Sequence, residues 1–172
     1  MPTKKGAGGR QQNYNSRTGR YEKVDYAKLY YRPPSRREKA QRRKEAKQEE
    51  LYNRALKSKD QYLLDVFCEI EQVLPYHIQF VNEKKFDPFI GDDREFDIIT
   101  RNCIIEIKGG VNASKKGKQF LAQKRYAESK NKQYIIYAPN FPTMARISFE
   151  KQGFKIANNV KTLINYIKDY EK

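Results

Sequence analysis

Glu95, Asp97, Glu106 and Lys108 flank the dipeptide Arg101–Asn102, within two isoleucine-rich runs, REFDIIT and CIIEIK. Each run alternates charged and apolar residues, the period of a β-strand with one buried face. Arg101 and Asn102 supply a two-residue turn, because Asn102 tolerates the left-handed backbone such turns need. In that register Thr100 opposes Cys103, Asp97 opposes Glu106 and Glu95 opposes Lys108. The roots of the Asp97 and Glu106 side chains would lie about 4.5–5.5 Å apart, where like charges destabilise a hairpin. Two carboxylates so placed call for a cation between them. The period also puts the four charged residues on one face, and Phe96, Ile98, Ile105 and Ile107 on the other, against helices. Hard oxygen ligands without histidine or cysteine beside them favour Mg2+ or Mn2+ over Zn2+. The plain alternative is a solvated strand face carrying a Glu95–Lys108 pair.

The flanking segments predict what positions this hairpin. Between Gln61 and Leu74, the residues Leu63, Val66, Phe67, Ile70, Val73 and Leu74 fall on one helical face, and Pro75 ends the helix. HIQFV, from His77 to Val81, reads as a strand, and a loop containing Pro88 and Gly91 runs on to Asp93. After the hairpin, Gly109 and Gly110 close the second strand, Ser114 to Lys130 has helical spacing, and QYIIYA from Gln133 is a buried strand. A helix near Thr143 to Gln152, a strand around Phe154 to Ile156 and an amphipathic helix through Val160, Leu163, Ile164 and Ile167 complete the chain. The order predicts an α/β sandwich, one mixed sheet between helices.

The 172 residues carry 36 lysines and arginines against 21 acidic residues, a net charge of +15. The excess is concentrated in residues 1–48, where 15 basic and 4 acidic residues give +11. This segment is poor in aliphatic residues and interrupted by glycine and proline, so it is expected to be a largely disordered extension, with residues 49–172 forming the folded domain. Tyr14, Tyr21, Tyr26, Tyr30 and Tyr31 interleave there with basic residues. That mixture suits phosphates and unpaired bases, or alternatively docking to a larger assembly. From Ser35 a polar helix is expected. The basic balance points to a polyanion, nucleic acid before membrane. No run approaches the roughly 18 apolar residues of a membrane span, and the first residues lack a secretory block, so a cytoplasmic protein is expected. Cys68 and Cys103 read as small buried hydrophobes. His77, the sole histidine, excludes paired-histidine metal sites and reads as a strand residue beside the core.

The stretch GDDREFDIITRNCIIEIKGG resembles the core motif of the PD-(D/E)xK superfamily of restriction-endonuclease-like nucleases, in which an aspartate on one strand precedes Glu-x-Lys on the next. Asp97 matches the aspartate, and Glu106, Ile107 and Lys108 match the Glu-x-Lys; Phe96 stands where many members have proline. The resemblance covers roughly residues 60 to 138. It implies a restriction-endonuclease-like fold and a Mg2+- or Mn2+-dependent endonuclease. Asp97, Glu106 and the Ile107 carbonyl would hold the metal, and Lys108 would orient or activate the attacking water. Many members add an acid from the first helix, for which Glu69, or else Glu71, is the candidate. A polar residue on the helix after the hairpin commonly meets substrate phosphate, and Gln123 is chosen from the face it shares with Gln119, Tyr126 and Lys130. Lys115, Lys116, Lys118, Lys124 and Arg125 would guide a phosphate backbone.

The expected substrate is DNA. Cleavage of RNA or transfer RNA by a toxin domain is the alternative, and a non-catalytic nucleic-acid-binding protein is the distinct class. Within the superfamily, EFDIIT followed by IIEIKGG is similar to domains of bacterial polymorphic toxins and phage-associated nucleases. That likeness implies a bacterial or phage-encoded protein with an acidic immunity protein or a phage assembly as partner, delivery to another cell if it is a toxin, and a homodimer as the form that cuts both strands.

Overall fold

The computed structural model describes residues 4–5, 11–15, 17, 20–23, 32–110 and 115–171. The chain divides into two compact units, 1–40 and 41–172. In the first unit β1 (Lys4–Lys5), β2 (Gln11–Asn15) and β3 (Arg20–Lys23) pair as an antiparallel sheet. Tyr26, Tyr30 and Tyr31 lie outside the described residues.

Helix α1 (Arg36–Lys57) begins at a reciprocal cap, where the Ser35 amide donates to Glu38 and the Glu38 amide to Ser35 Oγ. Among its described side chains only Leu51 and Ala55 are buried, as its polar sequence requires. Asp60 caps α2 (Gln61–Val73) by accepting the Leu63 amide, and the helix buries Leu63, Val66, Phe67 and Ile70. Cys68, expected to be buried, is exposed on the outer side of α2, whereas Cys103 is buried. His77 lies just ahead of β4, half-buried, its ring Nδ1 beside the Leu74 and Pro75 carbonyls.

The second unit is built on a five-stranded mixed sheet in the order β4-β5-β6-β7-β8. β4 (Ile78–Asp87), β5 (Asp92–Thr100) and β6 (Cys103–Ile107) form an antiparallel meander, while β7 (Gln133–Tyr137) and β8 (Lys155–Ala157) run parallel to β6. The two parallel crossovers pass through α3 (Gly117–Ser129) and α4 (Thr143–Lys151). Successive crossovers of one hand that step the same way across a sheet place their helices on the same face. Accordingly α3 and α4 cover one face through Phe120, Ala127 and Phe149, with Ile99, Ile104, Ile136 and Ile156 beneath them. α1, α2 and α5 (Val160–Tyr170) cover the other over Val81, Ile98, Ile105 and Ile135. The result is an α/β sandwich. Among the described residues no helix is long and apolar enough to cross a membrane.

Residues 82–93, expected as a loop, instead extend β4 and β5 into a long hairpin that turns between Asp87 and Asp92. The reason lies at its tip. Asp87 is fully buried, accepts the Phe89 amide and pairs with Arg94 Nε at 2.7 Å, and Gly91 supplies the positive φ of the turn. This polar clamp, invisible to hydrophobic patterning, holds strands whose outward residues are charged. A second departure concerns Phe96. Asn82, with φ of 46°, lies between the Val81–Ile98 and Glu83–Phe96 pairs and breaks the alternation opposite Asp97. Phe96 therefore joins the α3 face, stacked on Tyr126 at 4.7 Å, rather than the face of Ile98.

The tip clamp makes a direct prediction. Asp87→Ala leaves the largely buried Arg94 guanidinium unpaired, which costs about 3 kcal/mol. Thermal unfolding should fall by roughly 10 °C for a chain of this size; an unchanged melting temperature would show that the hairpin stands without the ion pair.

Candidate active site

The turn at Arg101–Asn102 sets the expected register, with Ile98 paired to Ile105 and Ile99 to Ile104. The ladder ends there. Toward Asp97 and Glu106 the strands part, and Asp97 Oδ2 accepts the Ile107 amide at 2.6 Å in place of a backbone carbonyl. Glu95 is thereby freed from the expected pairing with Lys108 and lies opposite Lys84 on β4.

Lys108 turns inward instead. Its ammonium lies 2.6 Å from Glu106 Oε1, 3.1 Å from the Ile107 carbonyl oxygen and 3.8 Å from Asp97 Oδ2. Three oxygens from two strands thus converge around a single cation. These are the two carboxylates and the carbonyl that the resemblance implies as metal ligands. Among the described residues no three acidic, histidine or cysteine side chains come together, so the oxygens that could hold a cation here are two carboxylates and a backbone carbonyl. A small hard cation that keeps several waters suits such a partial set, and the position of Lys108 shows that the oxygens already accommodate positive charge.

Glu106 does not face solvent as the strand alternation suggested. It is only 2% exposed, beneath α3. Gln123 Nε2 donates to its Oε2 at 2.6 Å and Gln119 Nε2 to its Oε1 at 3.1 Å. Gln123 is itself fully buried, and its Oε1 accepts from the Tyr134 hydroxyl at 2.7 Å, which fixes which end of the amide meets the carboxylate. This corrects the expectation that Gln123 meets phosphate: both ends of its amide are engaged inside the protein. Gln119, one turn earlier, is half-buried, and Lys130 at the far end of that face is exposed.

Glu69 is exposed on α2. Asp60, the cap of α2, adds a small electrostatic influence on Asp97 and Lys108. Glu69 follows nine residues later, roughly 13 Å along the helix, so the end of α2 that approaches the site is its amino terminus. Asp60 was legible as a helix cap but not as a neighbour of the hairpin. Glu71, the other candidate, has its carboxylate engaged by the Tyr76 amide. At the same end, the Tyr62 ring lies against Gly109, where any Cβ would collide with it, and Asn140 Nδ2 donates to the Gly109 carbonyl at 2.7 Å. Lys115, Lys116, Lys118 and Arg125 are exposed around α3, whereas Lys124 is tied to the Gly153 carbonyl.

Burial, and then the nearby Asp97, push the Glu106 carboxyl up to about 7, against the restraining effect of Lys108 and Gln123. Burial raises Asp97 as well, with Lys108 and the Ile107 amide opposing. For Lys108 burial favours the neutral amine, but Asp97 and Glu106 together outweigh it and hold the ammonium charged.

Set against family models, curated proteins and solved structures, the chain matches none.

The geometry of the site predicts a pH dependence. A glutamate of the unfolded chain ionises near 4.5, whereas the native Glu106 keeps its proton to about 7. Within that window the native state binds the extra proton, so stability falls as pH rises, by roughly 3 kcal/mol in all. In chelator, the melting temperature should drop between pH 5 and 7, and Glu106→Gln should flatten the slope. Parallel profiles for the two proteins would refute the raised carboxyl.

Proposed function

We propose that the second unit is a metal-dependent endonuclease of the restriction-endonuclease-like type, hydrolysing phosphodiester bonds in DNA with Mg2+ or Mn2+. The observation that carries this reading is the convergence of Glu106 Oε1, the Ile107 carbonyl and Asp97 Oδ2 on one positive charge, at the parting of two strands. A divalent cation held by these oxygens would supply positive charge to a phosphate and lower the pKa of a water beside it. The protein's own groups account for the remainder. Asp97 is fixed by the Ile107 amide, and Glu106 is aimed by Gln119 and Gln123, so neither carboxylate needs to reorganise on binding. Lys108, displaced from the oxygens by a metal, would remain within reach of the phosphate, where an ammonium stabilises growing negative charge or orients the nucleophile. The +15 charge of the chain favours a polyanionic substrate on electrostatic grounds.

The roles separate by measurement. Asp97→Ala and Glu106→Ala should each abolish Mg2+-dependent nicking of plasmid while the fold persists; full activity in either would sink the proposal. Lys108→Ala should lower turnover on the order of a hundredfold or more, with little change in substrate binding, because it removes a group that acts in the transition state. Collapse of affinity at unchanged turnover would instead make Lys108 a binding residue.

The basic segment is assigned to substrate binding. A chain starting at Ser35 should keep single-turnover cleavage at saturating enzyme but show a flatter salt dependence, by about 0.9 in log–log slope for each phosphate that the segment neutralises. An unchanged slope would give the segment another purpose, such as holding a protein partner.

A further inference from the structure

On the α3 face of the sheet a cleft of about 300 Å3 opens between α3 and the edge strand β4. Phe80 is the only residue of β4 that packs with this layer, so the helix and the strand edge do not close on each other. The buried Ile99 and Ile104 line the cleft with Phe80 and Tyr126, and Lys85, Lys130 and Lys132 add three ammonium groups. None of its described lining residues is acidic.

Both rings carry a cation. Lys85 Nζ lies 3.9 Å from the centre of the Phe80 ring, and Lys130 Nζ 5.6 Å from that of Tyr126. Lys47 approaches Phe80 as well, at 5.5 Å. Lys132 is committed to the carbonyl oxygens of Thr100 and Arg101, and Lys85 also pairs with Glu83 at 3.0 Å. Lysine over a ring at an accessible site is a weak, exchangeable contact. A nucleotide matches it group for group, since the base can take the ring while its phosphate takes the ammonium.

The strands that line the cleft also carry the carboxylates. Ile99 follows Asp97 by two residues on β5 and Ile104 precedes Glu106 by two on β6, each roughly 7 Å along a strand. Tyr126 stacks on Phe96, the residue before Asp97, and follows Gln123 by one helical turn. We propose that this cleft seats the base of an unpaired nucleotide adjacent to the phosphodiester held at Asp97 and Glu106, with Lys85 and Lys130 on its phosphate. The proposal rests on the nuclease reading of that site and narrows its substrate. A volume at the lower end of ligand pockets admits one base and not a stacked pair, so the nucleotide it seats is unpaired and unstacked, a state a single strand reaches without the cost of opening a duplex.

Binding tests this independently of cleavage. In chelator, the full chain is titrated with a labelled single-stranded DNA oligonucleotide and with an abasic strand of the same length and charge. The base-bearing strand should bind about tenfold tighter, and Phe80→Ala should remove most of that preference while keeping a cooperative melting transition. Lys130→Glu, on an exposed position, should weaken both strands alike. Equal affinity of the unaltered protein for the two strands, or a preference surviving in Phe80→Ala, would overturn the proposal. With Mg2+ added, an intact duplex cut as fast as the single strand would also overturn it. Base preference without cleavage of any substrate would instead refute the nuclease reading and leave the nucleotide site standing.

Discussion

Burying Glu106 is the constraint around which this molecule is arranged. A carboxylate 2% exposed has lost its water, and the side chains hydrogen-bonded or ion-paired to it are donors: Lys108, Gln119 and Gln123. Tyr134 then satisfies Gln123 and Asp97 engages the backbone beside Lys108. Removing any member strands a partner in a region where an unpaired polar group is costly. The network therefore ties β5, β6, β7 and α3 into one rigid unit, the arrangement a pre-organised site requires.

Lys108 has two consequences in this setting. Without a metal it neutralises the buried carboxylates and lets the fold close over them. The same position makes it a competitor for any cation that binds the oxygens, so metal affinity in the proposed enzyme includes the work of moving an ammonium. Buried ion pairs of this kind contribute little net stability, because desolvation offsets attraction. What they determine is geometry.

The sheet decides where a substrate could approach. Two crossovers of one hand put α3 and α4 on the same face and leave the β4 edge of that face thinly covered. The cleft over Ile99 and Ile104 is a direct result of this topology, and α3 spans both places, since it carries Gln123 over Glu106 and Tyr126 in the cleft. The clamp of Asp87 and Arg94 stiffens the hairpin that forms the other bank.

Local chemistry determined much of this protein from the sequence alone. Helical and strand periods located α2, β5, β6, β7 and α5, and the Arg101–Asn102 turn set the register that brings Asp97 near Glu106, because these depend on residues close in the chain. The α/β order followed from the alternation of elements. Tertiary structure decided the rest. The long β4–β5 hairpin depends on a buried ion pair across its tip, and the swing of Phe96 onto Tyr126 depends on Asn82 in a neighbouring strand. The inward turn of Lys108 needed the strands to part, and the burial of Glu106 and Gln123 needed α3 laid across β6. Each is a meeting of residues far apart in the chain, and such meetings leave no period or spacing for a sequence to display.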